Sequence, residues 1–140
     1  MKYKTAKNNE DLKLFFPVLK ELRPHLSFEE YLSIYQEAHA RDQYEMVALV
    51  ENEKILALMG YRVLCDFVRG RHLYIDDLVS VEKSKGHGAQ LLSYAEEKAR
   101  ELECTGGLRL CAVLENTGGI KFYEKNGWKA RAFAFVKKPL

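Results

Sequence analysis

The first forty residues carry apolar side chains at helical spacing. One helical face is formed by Leu12, Phe15, Phe16, Leu19 and Leu22. Pro24 ends this first predicted helix, because proline lacks the N–H that a helix interior needs. Ser27, followed three residues later by Glu30, forms the pattern of a capping box and predicts a second helix that runs to about His39.

After residue 42 the hydrophobic pattern becomes that of β-strands. Apolar runs over residues 46–50 and 55–64 flank the polar segment 51–54, which predicts an antiparallel hairpin. A turn at residues 69–71 leads into a third run over residues 72–81, rich in Leu, Tyr, Ile and Val. The middle of the chain is therefore predicted to contribute three strands in succession.

The last third of the chain alternates predicted helices and strands. A long helix is indicated by apolar spacing from Leu91 to Leu102, and residues 108–114 form a continuous apolar run typical of a buried, parallel strand. A short helix ending at Lys125 and a strand over residues 130–136 complete the prediction. The order α-α-β-β-β-α-β-α-β predicts an α/β fold, with a mixed, mostly antiparallel central sheet and helices on both faces.

Composition narrows the class of protein. A chain of 140 residues is expected to form a single domain over residues 1–140. Hydrophobic residues at 47% and charged residues at 30% exclude intrinsic disorder, and a net charge of +2 argues against a nucleic-acid partner. A polar N-terminus, short apolar runs and only three cysteines predict a cytoplasmic protein with no membrane partner.

A loop between the third strand and the long helix carries candidate binding chemistry. Gly86 and Gly88 allow a ligand to approach the backbone, and the N–H groups of a helix start favour an anion. Lys83 and Lys85 add positive charge, so the segment predicts a phosphate or pyrophosphate site, with an ordinary strand-to-helix turn as the alternative. The segment is not a Walker loop, because the pattern GxxxxGK[ST] is absent. It is not a Rossmann loop either, because Leu91 stands where the third glycine of that motif belongs.

A second motif follows about thirty residues later. The segment from Asn116 to Trp128 reads N-x-x-G-x-x-F-Y-x-x-x-G-W, and the glycine loop reads K-x-x-G-x-G from Lys83. With these two motifs the chain resembles the GNAT (Gcn5-related) family of N-acetyltransferases, in which Arg or Gln usually stands in place of Lys83. Residues 74–79 resemble the cofactor strand of that family, although the stretch that leads to the loop is about two residues shorter.

The resemblance implies a function. The chain is expected to move an acetyl group from acetyl-CoA to a primary amine of a small molecule or peptide by direct attack in a ternary complex. No metal is expected, and a homodimer is left open. The residues implied to bind the cofactor are Leu78, Val79, Ser80, Lys83, Lys85, Gly86, His87, Gly88, Ala89, Asn116 and Gly119.

The resemblance also suggests catalytic residues. Tyr123 matches the family's general acid, and a phenol is protonated at neutral pH. Asp76 and Asp77 are candidate bases, of which only one faces the cleft unless the strand contains a bulge, and analogy favours Asp76. The alternatives are that Tyr123 packs in the core, that one carboxylate pairs with Arg62 or Arg71, or that a carboxylate only attracts the amine.

Two further questions stay open in the sequence. A domain of this fold that binds acyl-CoA without catalysis is the alternative function. Tyr31, Tyr35 and Tyr61 either wall the acceptor site or pack in the core. The sequence does not identify the acceptor amine.

Overall fold

The protein is described by a computed structural model, in which residues 1–139 are placed. These residues group into two units, Met1–Arg109 and a second unit that begins at Leu110. The elements in chain order are β1 (Lys2–Thr5), α1 (Asn9–Leu22), α2 (Phe28–Asp42), β2 (Glu45–Glu51), β3 (Lys54–Asp66), β4 (Gly70–Ser80), α3 (His87–Glu101), β5 (Leu108–Leu110) and α4 (Thr117–Lys125). The single domain over residues 1–140 stays a prediction.

Local capping signals explain where α1 and α2 begin. The Asn8 side chain accepts a hydrogen bond of 2.9 Å from the backbone N–H of Asp11, which satisfies one of the open donors at the start of α1. Ser27 and Glu30 form the predicted capping box, with reciprocal bonds of 3.1 and 3.0 Å. The predicted helices are confirmed, and α1 continues through Pro17.

The sheet contains five strands in the order β1-β2-β3-β4-β5. The pairs β1–β2, β2–β3 and β3–β4 are antiparallel, which confirms the predicted mostly antiparallel sheet. In β3–β4 the register shifts, because Gly60 lies opposite Asp77 whereas Tyr61 lies opposite Ile75. Asp76 is therefore an extra residue in β4, and this β-bulge shapes the site described below.

Helices cover both faces of the sheet in the first unit. One face packs against α1 and α2 through the buried residues Leu12, Phe15, Leu19, Tyr31, Met46, Ala48, Leu58 and Val79. The other face packs against α3, whose Tyr94 ring lies 6.5 Å from the ring of Tyr61 and 4.6 Å from that of Tyr3. Because successive side chains of a strand point to opposite faces, the sheet contributes residues to the core on each side, as the predicted architecture requires.

The strands differ from those predicted in three places. The hydrophobic pattern does not predict β1, because its four residues include two lysines and form a polar edge. The strand predicted over residues 108–114 ends at Leu110, and Val113 and Leu114 are exposed. No strand forms over residues 130–136 of the described chain, where Phe133 and Phe135 are 73% and 93% exposed. Apolar alternation predicts a strand only where a neighbouring strand accepts its hydrogen bonds.

Adjacent residues of α1 offer a test of the first core. Phe15 is fully buried, whereas the side chain of Leu14 is half exposed. We expect Phe15→Ala to lower the free energy of unfolding by about 3–5 kcal/mol, since it removes buried surface and leaves a cavity. Leu14→Ala is the matched control and is expected to change it by less than about 1 kcal/mol. Urea unfolding followed by circular dichroism measures both, and similar losses for the two variants would contradict this packing.

Candidate active site

The bulge brings two adjacent carboxylates into one cavity. A cavity of about 350 Å³ lies in the first unit, between α1, α2 and the sheet. Its charged lining residues are Arg23, Arg62, Asp76 and Asp77. The expectation that only one of the two aspartates faces the cleft holds for a regular strand, and the extra residue in β4 removes that restriction.

Asp76 is held by a guanidinium group from the neighbouring strand. Arg62 donates from Nε to Oδ1 at 3.0 Å and from Nη2 to Oδ2 at 2.9 Å, a bidentate pair. The remaining Nη1 of Arg62 donates to Asp42 at the end of α2, at 2.8 Å. Burial raises the pKa of Asp76 and outweighs the opposing effect of Arg62. Asp76 is thus a partly desolvated carboxylate that binds a proton more readily than an exposed one.

Asp77 has a different set of partners. Arg23, the residue that ends α1, donates from Nε to Oδ1 at 3.0 Å, and Tyr44 donates its hydroxyl to Oδ2 at 2.7 Å. Burial, followed by the charge of Asp77, raises the pKa of Tyr44 well above its usual range, so this phenol stays a neutral donor. Arg71, the alternative partner that the sequence offers for a carboxylate, donates instead to the carbonyl of Leu102 at 2.7 Å.

Gly60 makes room for this arrangement. It lies opposite Asp77, and a Cβ atom at this position would collide with the hydroxyl of Tyr44. The glycine therefore allows the tyrosine ring to cross the sheet surface and reach Asp77. An isolated glycine in a strand pattern signals a bulge or a close approach, but it does not identify the facing residue or the side chain that approaches.

The three candidate tyrosines lie on different faces of the sheet. Tyr31 and Tyr35 line the cavity, although Tyr31 is buried and donates its hydroxyl to the carbonyl of Leu12 at 2.7 Å. Tyr61 lies against α3 on the opposite face, in contact with Tyr94. Tyr61 therefore does not wall this cavity, because adjacent residues of β3 alternate between faces and its neighbours Gly60 and Arg62 face the cavity side.

The glycine loop opens α3 without a side-chain cap. Gly86 is the N-cap residue, and its φ of +80° lies in the left-handed region that favours glycine. Within residues 1–139, no side chain caps this helix start. His87 is buried at the first helical position, and its Nδ1 atom has no hydrogen-bond partner in the described chain. Unsatisfied donors and an unsatisfied ring nitrogen thus meet at one helix N-terminus.

The other loop residues differ in exposure. Lys83 and Lys85 are exposed, Ala89 is half-buried, and Gly88 is buried in the first turn of α3. Upstream, Leu78, Val79 and Ser80 form the end of β4 and pair with β3. The predicted cofactor residues of the first unit therefore form one continuous path, from the strand end to the helix start.

The second motif builds the start of α4 in the second unit. The Asn116 side chain caps this helix by accepting from the N–H of Gly119 at 3.0 Å, and a Cβ at Gly119 would collide with the Asn116 amide. The Tyr123 ring lies 5.3 Å from Phe122 and 6.1 Å from Trp128. Burial raises the pKa of Tyr123, so its hydroxyl keeps its proton at neutral pH.

Residues 1–139 contain no feature of a membrane span or a metal site. No helix in this range is long and apolar enough to cross a membrane. No three potential metal-ligating side chains come together there. The expectations of no membrane partner and no metal stay predictions.

Comparison with known proteins gives consistent matches. The model of the acetyltransferase (GNAT) family matches residues 8–128. YhdJ of Bacillus subtilis (strain 168), an uncharacterized N-acetyltransferase, is 34% identical over 140 residues, covering 98% of this chain and 96% of YhdJ. The aminoglycoside N-acetyltransferase AAC(6')-Iy, solved with CoA, has a TM-score of 0.83 at 15% identity and covers 99% of this chain and 96% of its own.

A second solved structure agrees with that fold. A transcriptional regulator from Bacillus halodurans C-125 has a TM-score of 0.83 at 19% identity, over 98% of each chain. At such low identities the solved structures establish the fold, whereas the family match and YhdJ establish the family. The predicted fold class and family are confirmed.

The Arg62–Asp76 pair generates a prediction for stability and pH. We expect Arg62→Gln to lower the free energy of unfolding by about 2 kcal/mol at pH 7, because it leaves a partly buried carboxylate unpaired. The two side chains are 21% and 23% exposed, so the loss stays below that of a fully buried pair. Without Arg62, the pKa of Asp76 in the folded state rises further above its unfolded value. The difference in the free energy of unfolding between the wild type and Arg62→Gln should therefore shrink as the pH falls through the pKa of Asp76 in the folded variant.

Urea unfolding at several pH values between 7 and 4 tests this expectation. Arg41→Gln is the matched control, since Arg41 and its partner Glu37 are 75% and 74% exposed and contribute little. Adding Asp76→Asn to Arg62→Gln should remove the pH dependence of the loss. A loss for Arg62→Gln that is independent of pH would show that Asp76 is not the group left unpaired.

Proposed function

Because the chain belongs to the acetyltransferase (GNAT) family and is an N-acetyltransferase, we propose that it transfers an acetyl group from acetyl-CoA to a primary amine by direct attack. The acceptor is a small molecule or a peptide bound in the cavity at the bulge. The main structural support for this proposal is the path of β4 through the first unit. It runs from two cavity-lining carboxylates, through Leu78–Ser80, to the loop that opens α3.

The start of α3 supports binding of the cofactor's pyrophosphate. Backbone N–H groups from Gly86 to Ala89 lie at the positive end of the helix dipole, where an anion is favoured. Lys83 and Lys85 add charge in the same loop, and the Nδ1 atom of His87 is buried without a described partner. An anionic group at this position would satisfy donors that the described chain leaves open.

Strand geometry relates the cofactor to the cavity. In the proposal, the pantetheine amides pair with the backbone of Leu78, Val79 and Ser80, as the family resemblance implies. A strand advances about 3.3 Å per residue, so Asp76 lies about 7 Å along β4 from Leu78. A thioester beyond the pantetheine therefore comes within reach of an amine held at the bulge.

The proposed reaction uses side chains for two of its proton transfers. The acceptor ammonium loses a proton to Asp76, directly or through a water molecule, since only the neutral amine is a nucleophile. The raised pKa of Asp76 makes it a better base than an exposed aspartate. Asp77, which already accepts from Tyr44 and Arg23, is assigned to attracting the ammonium group. The amine nitrogen bonds to the carbonyl carbon, and the carbon–sulfur bond breaks.

The departing thiolate takes the second proton. Tyr123 is the proposed donor, because its hydroxyl remains protonated and it matches the family's general acid. Asn116 and Gly119 are proposed as cofactor contacts on the same motif, in addition to their observed cap on α4. The acetylated nitrogen then releases its extra proton to solvent, and Tyr123 regains a proton from solvent. The result is an acetylated amine and free CoA, with no acyl-enzyme.

Cofactor binding is tested by a pair of glycine substitutions. Acetyl-CoA should raise the melting temperature of the native protein, because it binds the folded state. We expect Gly86→Ala to weaken acetyl-CoA binding at least tenfold, since alanine strains the left-handed backbone that shapes the loop. Isothermal titration calorimetry measures the Kd of each protein.

Gly70→Ala is the matched control for that substitution. Gly70 has a φ of +70° at the β3–β4 turn, and within the described residues a Cβ on either glycine meets nothing within 4 Å. Both variants should lose similar stability, yet only the Gly86 variant should lose affinity. Equal affinity in the two variants would show that the loop is an ordinary turn.

The acid is tested by removing one hydroxyl. Tyr123→Phe should lower kcat by about 10²–10⁴-fold, the usual contribution of a positioned acid or base, and leave the Kd for acetyl-CoA nearly unchanged. Tyr3→Phe is the control, because it removes a hydroxyl that only donates to the carbonyl of Gln90. Rates are measured as thiol release with an amine that the wild type acetylates. A decrease below about threefold for Tyr123→Phe would leave water or the substrate ammonium as the acid.

A further inference from the structure

The charges around the cavity nearly cancel. Arg23 and Arg62 oppose Asp76 and Asp77 in its lining, and Asp42 pairs with Arg62 just outside it. Three carboxylates and two guanidinium groups leave one unit of negative charge. A partly buried charge needs a partner of opposite sign, so this cavity can compensate one ammonium group but not several. A polycationic acceptor would bring more positive charge than the lining opposes.

Arg23 has hydrogen-bonding capacity that its protein partners do not use. Its Nε donates to Asp77 and its Nη2 donates to the carbonyl of Asp76 at 3.1 Å. A guanidinium group carries five N–H donors, and the two on Nη1 have no partner among residues 1–139. The Arg23 side chain is 41% exposed, against 15% for Asp77, so it lies on the more open side of the pair. Its planar donors suit a carboxylate better than any other small anionic group except phosphate.

Apart from His25 and the tyrosine hydroxyls, the remaining lining is apolar, and the space is small. Leu26, Ile34 and Tyr35 contribute hydrocarbon and aromatic surface from α2 and the segment before it. A volume of about 350 Å³ lies near the lower end of the range for small-molecule sites. The cavity thus combines an acidic pair, one available guanidinium edge and an apolar wall.

We propose, resting on the function proposed above, that the acceptor is an amino-acid-like zwitterion: a small primary amine with one carboxylate and an apolar side chain. Its ammonium group lies at the Asp76 and Asp77 carboxylates, its carboxylate binds the open edge of Arg23, and its side chain packs against Ile34 and Tyr35. Arg23 is then the residue that selects the acceptor.

A matched pair of acceptors isolates the carboxylate contact. Thiol release is measured with leucine and with leucinamide, which keeps the amine and the side chain but lacks the carboxylate. Spermidine and kanamycin serve as polycationic probes. We expect leucine to have the highest kcat/KM of the four. In Arg23→Gln the leucine-to-leucinamide ratio of kcat/KM should fall about tenfold, as expected for the loss of one charge-assisted hydrogen bond.

Two further variants separate selection from structure. Arg23→Lys keeps the charge and should keep part of the preference. Arg100→Gln removes a guanidinium from an exposed pair on α3 and should leave the ratio unchanged. The ratio cancels any general loss of activity, so a partly destabilised Arg23 variant still gives a clear result.

Each remaining outcome is decisive. Higher kcat/KM for spermidine or kanamycin than for leucine would overturn the zwitterion assignment and leave acetyl transfer standing. An unchanged ratio in Arg23→Gln would overturn the role of Arg23. No thiol release above background with any amine would overturn the proposed transfer function itself, together with this inference.

Discussion

Adjacent side chains on a regular β-strand point to opposite faces of the sheet, so two neighbouring aspartates cannot share a cavity. In this protein one extra residue in β4 relaxes that constraint at Asp76. The cavity lining, the two arginine pairs and the reach of Tyr44 all depend on it. The reach of Tyr44 also needs Gly60 on the facing strand, because a Cβ atom there would collide with the tyrosine side chain.

Two guanidinium groups make the acidic pair tolerable inside the fold. Arg62 approaches from β3 and Arg23 from the end of α1, so each carboxylate is bound by a different element. Without these partners, two neighbouring carboxylates in a half-buried position would repel each other and take up protons. The same contacts tie α1 and α2 to the sheet, because Arg62 also binds Asp42. The chemistry of the cavity and the position of its helical wall are therefore coupled.

The sequence predicted those features that depend on nearby residues. The cap at Ser27 and the hairpin of β2 and β3 follow from local chemistry, and the structure has them as predicted. The bulge at Asp76 does not follow from the sequence, since it depends on the pairing of β4 with Gly60, and strand pairing is not local.

Apolar alternation gives a wrong strand prediction where no partner strand is present. Residues 130–136 show the pattern of a strand, yet Phe135 is 93% exposed and no strand forms there within the described chain. For the candidate site, the sequence identified Asp76, Asp77 and Arg62 but not Arg23 or Tyr44. Those two are distant along the chain and reach Asp77 only through the packing of α1 and the turn before β2.

The extra residue in β4 also has a consequence for divergence among relatives. On either side of it, opposite members of the odd–even alternation lie on the α1 and α2 side of the sheet: Tyr74 shares a face with Arg62, whereas beyond the bulge Asp77 and Val79 take that face. A relative with one residue more or fewer at this point would present a different row of side chains to its acceptor, even with an otherwise unchanged strand. Changes in chain length by a single codon, rather than substitutions, thus offer a direct evolutionary route to a new acceptor.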